Sequence, residues 1–373
     1  MQRQDHPLQS PSLGSGRALS SLHFGTPGAR PKVYIQASLH AEELPGALVA
    51  HHLQSLLREV ENQFQGELIL VPLANPIGLA QRLDHKPMGR FELDSAENFN
   101  RHYPDLAKAV LSDVAGVLGA DAAHNVALIR QAVAEHLLRW QPHTELQSLR
   151  HRLLSLAFDA DVVLDLHCDC EAVLHLYTEQ ACWPTLEPLA RLLGCQAVLL
   201  AKNSGGLPFD ECLSGLWWQL ALAVAASGAA HPVPQACAST TIELRGEADV
   251  SHASAQADAR AILGYLRHLG VLSGTGPALP ALPCTPTPLA GSQTVTSRAP
   301  GVVVFAAQPG VRLHRGDPVA QVIDPVSQTV ETVRAEVDGV LYARIRERYV
   351  HAGGELAKIA GATAYRSGNL LGA

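Results

Sequence analysis

The sequence predicts an α/β fold, in which helices flank a mixed central sheet, followed by a smaller barrel-like β domain. Residues 33–37 and 67–73 are apolar runs of strand length, and residues 45–57 between them place apolar side chains at helical spacing. Strand, helix and strand in this order are typical of βαβ units, which put helices on the faces of a sheet. The same alternation continues through residues 160–270. A segment rich in Pro, Gly, Ser and Thr at 273–292 then separates a β-rich end.

Composition narrows the class of protein. With 373 residues, 47% of them hydrophobic, the chain can bury a large core and form a second, smaller domain. The net charge of −7 and the lack of a Lys/Arg-rich run argue against nucleic acid or an anionic membrane as a partner. Seven cysteines without framework spacing indicate a reducing compartment. The chain start has no apolar stretch of signal-peptide length, and the longest apolar run, 216–226, is shorter than the roughly 20 residues of a membrane span. We therefore expect a cytoplasmic protein.

The first part of the chain divides into an N-terminal segment, 1–29, and a larger α/β domain, 30–272. Residues 18–24 of the segment are a candidate edge strand. Pro45 opens the first helix, a position where the missing N–H of proline is tolerated. Residues 76–104 show no period and contain several Pro and Gly, so we expect a long loop there, and such loops are usually functional.

Helices and strands alternate again beyond this loop. Residues 105–158 have helical spacing and resemble an insertion, and the strand that follows, 160–166, ends at His167. Further strands are expected at 172–177, 196–200 and 240–244, with helices at 184–193, 210–226 and 254–269.

The last hundred residues divide into a linker, a β-rich domain and a tail, at 273–295, 296–362 and 363–373. Gly339 follows Gly301 by 38 residues and Gly353 follows Gly316 by 37, which indicates two similar halves and a small quasi-symmetric barrel. Similar half-repeats occur in biotinyl and lipoyl carrier domains, but residues 324–333 between the halves contain no Lys to carry a cofactor. A structural role, restriction of an active-site mouth or oligomerisation is left for this domain.

Two histidines and a glutamate form a candidate metal site. His40 and Glu43 follow the strand 33–37, and a His and a carboxylate three residues apart at a strand end can face one divalent ion. His167 supplies a third ligand from the end of another strand. Two His and one Glu leave a fourth tetrahedral position open, as in catalytic zinc sites. Glu42 is the alternative to Glu43, but the short reach from the strand end favours the later carboxylate.

Several further motifs accompany this site in a fixed order. They are His40 to Gly46, Asn75-Pro76, Arg90, Asn98 to Arg101, Asp165 to His167 and Thr241 to Leu244. This ordered set resembles the succinylglutamate desuccinylase and aspartoacylase family, a branch of the zinc carboxypeptidase-like fold, over about residues 30–270. The terminal β-rich segment is similar to the second domain of that family. A lone H-x-x-E pattern would carry little weight, because two residues at one spacing recur by chance.

The resemblance implies a metal centre and a base. His40, Glu43 and His167 would be the ligands of one zinc ion per chain. Glu243 would be the general base, which takes a proton from water and hands it to the leaving amine. Because Glu243 ends the short strand 240–242, we expect it at the same carboxyl edge as the ligands, where open α/β sheets bind their ligands.

The resemblance also implies a substrate-binding set in the long loop. Arg90 would polarise the scissile carbonyl, and Asn100 with Arg101 would hold a substrate carboxylate, which suits the planar guanidinium fork. This chain departs from the family pattern at Asn98, where Asp usually precedes the Asn by two residues. Asp165 is expected to support His167 from behind.

Other chemistry-bearing residues have simpler interpretations. Cys168 and Cys170 form a C-x-C pattern after His167, and we expect them to line a pocket rather than to form a second metal site or a redox pair. Asp210 or Glu211 is a candidate contact for a cationic group of the substrate.

The predicted function is that of a zinc-dependent amidohydrolase, which removes the acyl group from an N-acyl amino acid or a similar small amide. The alternatives are a zinc carboxypeptidase that trims a small peptide and a non-catalytic binding module that retains the fold. A serine hydrolase is disfavoured, because no G-x-S-x-G elbow occurs in the sequence. The sequence leaves open whether the chain forms a homo-oligomer.

Overall fold

The computed structural model describes residues 1–371. Its α-helices, in chain order, are α1 Pro45–Glu59, α2 Pro76–Ala80, α3 Leu106–Val114, α4 Ala122–Arg139, α5 Glu145–Ala157, α6 Trp183–Leu193, α7 Phe209–Ala226 and α8 His252–His268. Its strands are β1 Gln2–Pro7, β2 Ala18–Gly25, β3 Lys32–Ala37, β4 Glu67–Val71, β5 Arg82–Leu83, β6 Lys86–Pro87, β7 Val162–Asp169, β8 Glu171–Ala172, β9 His175–Glu179, β10 Ala197–Ala201, β11 Ala238–Gly246, β12 Thr287–Pro288, β13 Ser292–Thr296, β14 Gly301–Phe305, β15 Arg312–Leu313, β16 Pro318–Asp324, β17 Thr329–Arg334, β18 Gly339–Arg344, β19 Tyr349–Val350 and β20 Glu355–Gly361.

A large mixed sheet forms the centre of the molecule. Within residues 1–371 it contains nine strands in the order β1-β2-β4-β3-β7-β11-β9-β10-β12. Strands β4, β3, β7 and β11 run parallel to one another, whereas β9 runs antiparallel to β11 and parallel to β10. The predicted α/β class with a mixed, helix-flanked sheet is confirmed.

Helices cover both faces of this sheet because successive side chains of a strand point to opposite sides. On β3, Val33 and Ile35 belong to the core packed under α1, α6 and α8. Tyr34 between them belongs to the core under α3, α4, α5 and α7. All three side chains are fully buried, so β3 is a central strand with apolar layers on both faces.

The N-terminal segment contributes more than the predicted single edge strand. Strand β2 lies inside the sheet, paired with β1 on one side and with β4 on the other. The edge is formed by β1, and almost all of its residues are exposed. An exposed strand carries no apolar alternation, which is why its sequence gives no strand signal.

The segment predicted as a linker is partly ordered in strands. Strand β12 pairs with β10 and so belongs to the central sheet, while β13 pairs with β20 in the β-rich part. The domain boundaries at 273–295 and 296–362 remain a prediction.

The β-rich part consists of two four-stranded sheets related by the predicted internal repeat. Their strand orders are β13-β20-β18-β15 and β17-β16-β14-β19. Strands β13, β14, β15 and β16 recur about 37 residues later as β17, β18, β19 and β20. When each strand is replaced by its repeat equivalent, the order of one sheet becomes the order of the other. Val303, Val319, Leu341 and Ile359, two from each half, share one core between the sheets.

The β-rich part is joined to the central sheet by pairing and by apolar packing. Strand β8 pairs with β18, which places Ala172 opposite Ala343. Tyr342 packs into a hydrophobic cluster together with Val173, Tyr177 and Leu199 of the part that contains the central sheet. Among the helices of residues 1–371, none combines the length and the apolar character needed to cross a membrane.

Candidate metal centre

Three neighbouring parallel strands bring the predicted site residues to one edge of the sheet. In the pairing of β7 with β11, Glu243 lies directly opposite His167. In the pairing of β3 with β7, Ala37 lies opposite Leu166, so the turn after β3 reaches the same edge. This turn carries His40 and Glu43. The carboxyl edge of parallel strands is where α/β sheets bind ligands.

The side chains of His40, Glu43 and His167 converge. Nδ1 of His40 lies 2.8 Å from Oε1 of Glu43, and Nδ1 of His167 lies 2.7 Å from Oε2 of the same carboxylate. One ligand atom from each residue lies within 4.8 Å of the other two. All three side chains are buried. Two imidazole nitrogens and one carboxylate at this spacing are a donor set that fits a divalent transition metal such as zinc.

Each histidine faces an acceptor on its other nitrogen. Nε2 of His40 lies 2.9 Å from Oδ1 of Asn98. Nε2 of His167 lies 3.1 Å from Oδ2 of Asp165, which is itself fully buried. The Asn98 acceptor at Nε2 of His40 favours the tautomer that leaves the Nδ1 lone pair free, and Nδ1 is the nitrogen that faces Glu43. The contact of His167 with Asp165 is within ion-pair distance but lacks hydrogen-bond geometry.

The charges of these groups also fit a bound cation. Burial lowers the pKa of His40 to about 4, so this imidazole is neutral and able to act as a ligand. Burial would raise the pKa of Glu43, but His40 and His167 hold it well below its usual value. Burial opposes charge on His167, yet Asp165 and Glu43 raise its pKa well above the usual value. A divalent cation held by His40, Glu43 and His167 would supply the positive charge that a proton on His167 otherwise supplies.

Glu243 offers a free carboxyl oxygen beside this cluster. Its Oε2 is buried and has no hydrogen-bond partner among the described residues. Burial, reinforced by the charge of Glu43, raises the pKa of Glu243 to about 8. A buried carboxyl oxygen without a hydrogen bond lowers the stability of the fold. Glu243, which lines the cavity, is therefore a candidate acid–base group.

Hydrogen bonds tie the long loop to the segment that carries His40 and Glu43, and they show that Glu42 and Glu43 have different roles. The backbone N–H of Gly89 donates to Oε2 of Glu42 at 2.8 Å, and the N–H of Ala41 donates to the carbonyl of Gly89 at 2.9 Å. A Cβ on Gly89 would lie 2.5 Å from the backbone nitrogen of Glu42, so no larger residue fits. Glu42, the alternative ligand, therefore holds the loop, and Glu43 is the member of the cluster. The adjacent Arg90 donates from Nη1 to Oε1 of Glu43 at 3.2 Å.

Asn100 and Arg101 also reach the cavity. Oδ1 of Asn100 accepts a hydrogen bond from the N–H of Phe209 at 2.8 Å, which anchors the start of α7. Arg101 donates from Nη1 to the carbonyl of Asn100 at 2.8 Å. Gly206 has a φ of +79°, and a Cβ there would lie 2.8 Å from Cδ of Arg101, so glycine is needed where this backbone passes the arginine.

Asp210 and Glu211, the candidate contacts for a cationic group of the substrate, both have hydrogen-bond partners within the protein. Both carboxylate oxygens of Glu211 accept from the backbone N–H of Ser204, at 3.0 and 3.1 Å. The neighbouring Asp210 accepts from the hydroxyl of Thr241 at 3.1 Å. Both acidic residues nevertheless line the cavity.

All of these groups surround one cavity of about 360 Å³. The predicted residues His40, Glu43, Arg90, Asn100, Arg101, His167 and Glu243 all line it, as do Cys168 and Cys170. Its remaining wall comes partly from the β-rich part, through Arg344, Arg346, Glu347, Leu356 and Lys358.

Sequence reasoning missed three kinds of contribution. Asn98 is visible in the sequence only as a departure from a pattern, and its contact with His40 needs the folded loop. Asp169, which lines the cavity, follows His167 by two residues, and that proximity was a usable signal. Lys358 lies almost 200 residues further along the chain, so only the packing of the β-rich part reveals it.

The fold and the site together define an α/β protein with a candidate metal centre at the carboxyl edge of its sheet. Residues 29–269 match the catalytic domain of succinylglutamate desuccinylase/aspartoacylase. Since this match covers more than half of the chain, the protein belongs to the succinylglutamate desuccinylase/aspartoacylase family, as the motif order predicted.

Solved structures with this fold include other family members. A succinylglutamate desuccinylase/aspartoacylase family protein from Shewanella amazonensis shares 28% identity, with a TM-score of 0.83 over 96% of this chain and 98% of that one. A second such protein, from Shewanella frigidimarina, shares 25% identity, with a TM-score of 0.84 over 96% of each chain. A succinylglutamate desuccinylase/aspartoacylase from Rhodobacter sphaeroides, at 16% identity and a TM-score of 0.66 over 97% of this chain and 96% of that one, shares the fold. None of the curated proteins matches the sequence.

Proposed function

We propose that this protein is a zinc-dependent amidohydrolase, which removes the acyl group from an N-acyl amino acid or a similar small amide and binds one zinc ion per chain. The observation that carries the proposal is the convergence of His40, Glu43 and His167 beside the unpaired carboxyl oxygen of Glu243. Membership of a family named for deacylating enzymes supports the same reaction type.

The chain's own residues divide the work of hydrolysis. Zinc bound by His40, Glu43 and His167 would supply Lewis acidity toward the scissile carbonyl and toward water. Oε2 of Glu243 accepts the proton of the attacking water and passes it to the leaving amine nitrogen. Arg90, whose guanidinium lies at the ligand carboxylate, stabilises the negative charge that develops on the carbonyl oxygen.

The cavity favours a small amide over a peptide. Its volume of about 360 Å³ is near the lower end of the roughly 300–1,000 Å³ typical of small-molecule sites. Arg101, with Asn100 beside it, is the group we assign to a substrate carboxylate, because a guanidinium binds a carboxylate through two parallel hydrogen bonds. The wall contributed by the β-rich part limits the length of a peptide substrate that can extend past the metal centre.

We also propose that the protein works in the cytoplasm. All seven cysteines are free, and five of them are buried, as expected for a chain kept in a reducing compartment.

A substrate panel tests the proposed function. The zinc-loaded protein is assayed with N-acetyl, N-succinyl and other N-acyl amino acids and, in parallel, with dipeptides. We expect hydrolysis of at least one N-acyl amino acid at a higher kcat/KM than any dipeptide. Faster cleavage of dipeptides would favour the carboxypeptidase, and no hydrolysis by protein that holds a full equivalent of zinc would favour the binding module.

Glu243→Gln is the matched variant for this assay, because it keeps the shape of the side chain and removes the base. We expect kcat to fall by about 10² to 10⁴, the usual contribution of a general base, with KM and zinc content little changed. Retention of wild-type kcat in this variant would remove Glu243 from the mechanism.

A further inference from the structure

The β-rich part places one ammonium group in the wall of the cavity. Lys358 lies on β20 between Ala357 and Ile359, whose side chains pack into the apolar core of the β-rich part. The pairing of β20 with β18 shifts register beside Lys358, and such a bulge redirects the neighbouring side chains. Nζ of Lys358 donates to Oδ2 of Asp169 at 2.6 Å.

Asp169 belongs to the same cavity wall as the metal centre. It follows His167 by two residues on β7, and its Oδ1 accepts from the N–H of Cys170 at 2.8 Å. Glu43, Asp169 and Glu243 are three of the acidic residues that line this cavity, and they lie on the turn after β3, on β7 and on β11. Arg90 contacts the first of them, and Lys358 contacts the second. Of these three, only Glu243 has a buried carboxyl oxygen without a hydrogen-bond partner among the described residues.

Lys358, Asp169 and Glu243 line the same cavity, so the charges of this ion pair lie beside the proposed base. Without the ammonium, Asp169, whose side chain is 15% exposed, would be a partly buried carboxylate without an ion partner, which is costly and which repels its acidic neighbours. A second unpaired carboxylate could also compete with Glu243 for the water or for the metal ion.

We propose that Lys358 is a positioning residue for the reaction, because its ion pair with Asp169 neutralises that carboxylate and keeps it from competing with Glu243 as the base. This inference rests on the proposed hydrolase function. It makes the β-rich part a component of the reaction centre in addition to a folded support. In this role Lys358 acts through Asp169.

A neighbouring set of ion pairs serves as the control. Glu171 accepts from Nε of Arg344 at 2.6 Å and from Nη2 of Arg348 at 2.5 Å, and both arginines belong to the β-rich part. Glu171 is not among the residues that line the cavity. Glu171→Gln therefore removes ion pairs between the same two parts of the chain, one of them to Arg344 of the cavity wall, while Asp169, Lys358 and Glu243 keep their charges.

The first experiment compares Lys358→Met, Lys358→Arg, the double variant Asp169→Asn with Lys358→Met, and Glu171→Gln in the zinc-loaded enzyme. We expect Lys358→Met to lose about tenfold or more in kcat with KM changed by less than about threefold, as for a misplaced catalytic group. Lys358→Arg should keep most of kcat, because it restores the ion pair. The double variant should recover to within about threefold of the wild type, because neither charge remains. Glu171→Gln should match the wild type.

The second measurement is zinc affinity, determined by competition with a chelator, and it does not depend on activity. An uncompensated Asp169 adds negative charge beside the ligands, so Lys358→Met should bind zinc about fivefold more tightly than the wild type. The double variant and Glu171→Gln should match the wild type. If the substrate panel shows no hydrolysis, the proposed function fails, and this measurement alone still decides whether Lys358 controls the charge at the site.

Three results would overturn the inference: a raised KM with kcat retained in Lys358→Met, wild-type zinc affinity in that variant, or no recovery in the double variant. If Lys358→Met does not fold, the double variant carries the test. Its kcat is expected within about threefold of the wild type, and a larger loss would contradict the proposed role.

Discussion

At the scale of single residues, the metal centre depends on side chains that orient the ligands as much as on the ligands. Asn98 accepts at Oδ1 from the backbone N–H of Asn100 at 2.8 Å, and the same oxygen faces Nε2 of His40. This amide therefore fixes both the loop and the imidazole. Partners of this kind tune the metal affinity of the ligands that they orient.

Replacement of Asn98 by Ala is predicted to weaken zinc binding by about 10- to 100-fold, because His40 loses the acceptor that fixes its tautomer and ring orientation. Chelator competition measures the change. Asn98→Asp keeps an acceptor at the same place and is expected to bind zinc at least as tightly as the wild type. Equal zinc affinity in Asn98→Ala and the wild type would show that this contact does not support the metal centre.

The site residues that can be predicted from the sequence are those that belong to a short local pattern. His40 and Glu43 are three positions apart after a strand, and His167 ends another strand, so both signals are local. The roles of Asn98 and Lys358 are different, because each depends on contacts between segments far apart in the chain. Asn98 lies 58 residues from His40, and Lys358 lies 189 residues from Asp169. No periodicity encodes such contacts.

At the scale of elements, a buried carboxyl group joins a strand to a helix. Glu179 ends β9 and is almost fully buried. Nε1 of Trp218, on α7, donates to its Oε1 at 2.5 Å. Burial raises the pKa of Glu179 to about 8 from a usual value of 4.5. The folded protein therefore holds this proton over a pH range in which the unfolded chain has released it.

This shift predicts how stability changes with pH. Because the folded pKa of Glu179 is raised, its favourable contribution is complete below about pH 4.5 and is lost as the pH rises through about 8. Glu179→Gln stays neutral and can still accept from Trp218, so it should lose less stability than the wild type between pH 5 and pH 9. The difference is on the order of a few kcal/mol.

Urea unfolding at several pH values measures this difference. Glu187→Gln, a change at an exposed carboxylate on α6, is the control and should follow the wild-type profile. Parallel profiles for Glu179→Gln and the wild type would mean that Glu179 is not held protonated in the fold.

The element boundaries show which strands a sequence can reveal. Strands β3 and β7 are buried along almost their whole length, so their apolar runs are unmistakable. Strand β1 is exposed, and β12 has two residues within a Pro-rich segment, so neither has an apolar pattern to detect. Both strands form because a neighbouring strand offers free backbone hydrogen-bonding groups.

At the scale of the whole molecule, the catalytic and β-rich parts share an apolar interface. The ring of Tyr342 lies 4.9 Å from that of His175 and 6.5 Å from that of Tyr177, measured between centroids. Its hydroxyl lies 2.8 Å from the hydroxyl of Ser292. The packing of this buried ring on β9 favours unfolding of the two parts as one unit.

Tyr342→Ala is predicted to destabilise the protein by about 3–5 kcal/mol, the usual loss for a large buried aromatic side chain. The result should be a lower urea midpoint in a single transition, with zinc stoichiometry unchanged in the folded protein. Tyr349→Ala, at a side chain that is 57% exposed, is the control and should be close to neutral. A separate early transition in the wild type would show that the β-rich part unfolds independently.

The internal repeat was visible in the sequence because its glycines recur at a nearly constant interval. Its consequence, two sheets that each take two strands from either half of the repeat, was not visible. The pairing of β18 with β8 was equally hidden. These contacts place residues of the repeat in the cavity wall. They depend on the packing of segments that are far apart in the sequence.

The zinc content of the purified protein and its variants, measured after loading and dialysis, tests directly whether His40, Glu43 and His167 form a metal centre. The convergence of three ligands predicts about one equivalent in the wild type and in Glu243→Gln, because Glu243 is not a ligand. It predicts far less than one equivalent in His40→Ala, Glu43→Ala and His167→Ala, since each removes one of three protein ligands. Full zinc occupancy in any of these three ligand variants, or none in the wild type, would contradict the metal centre described here.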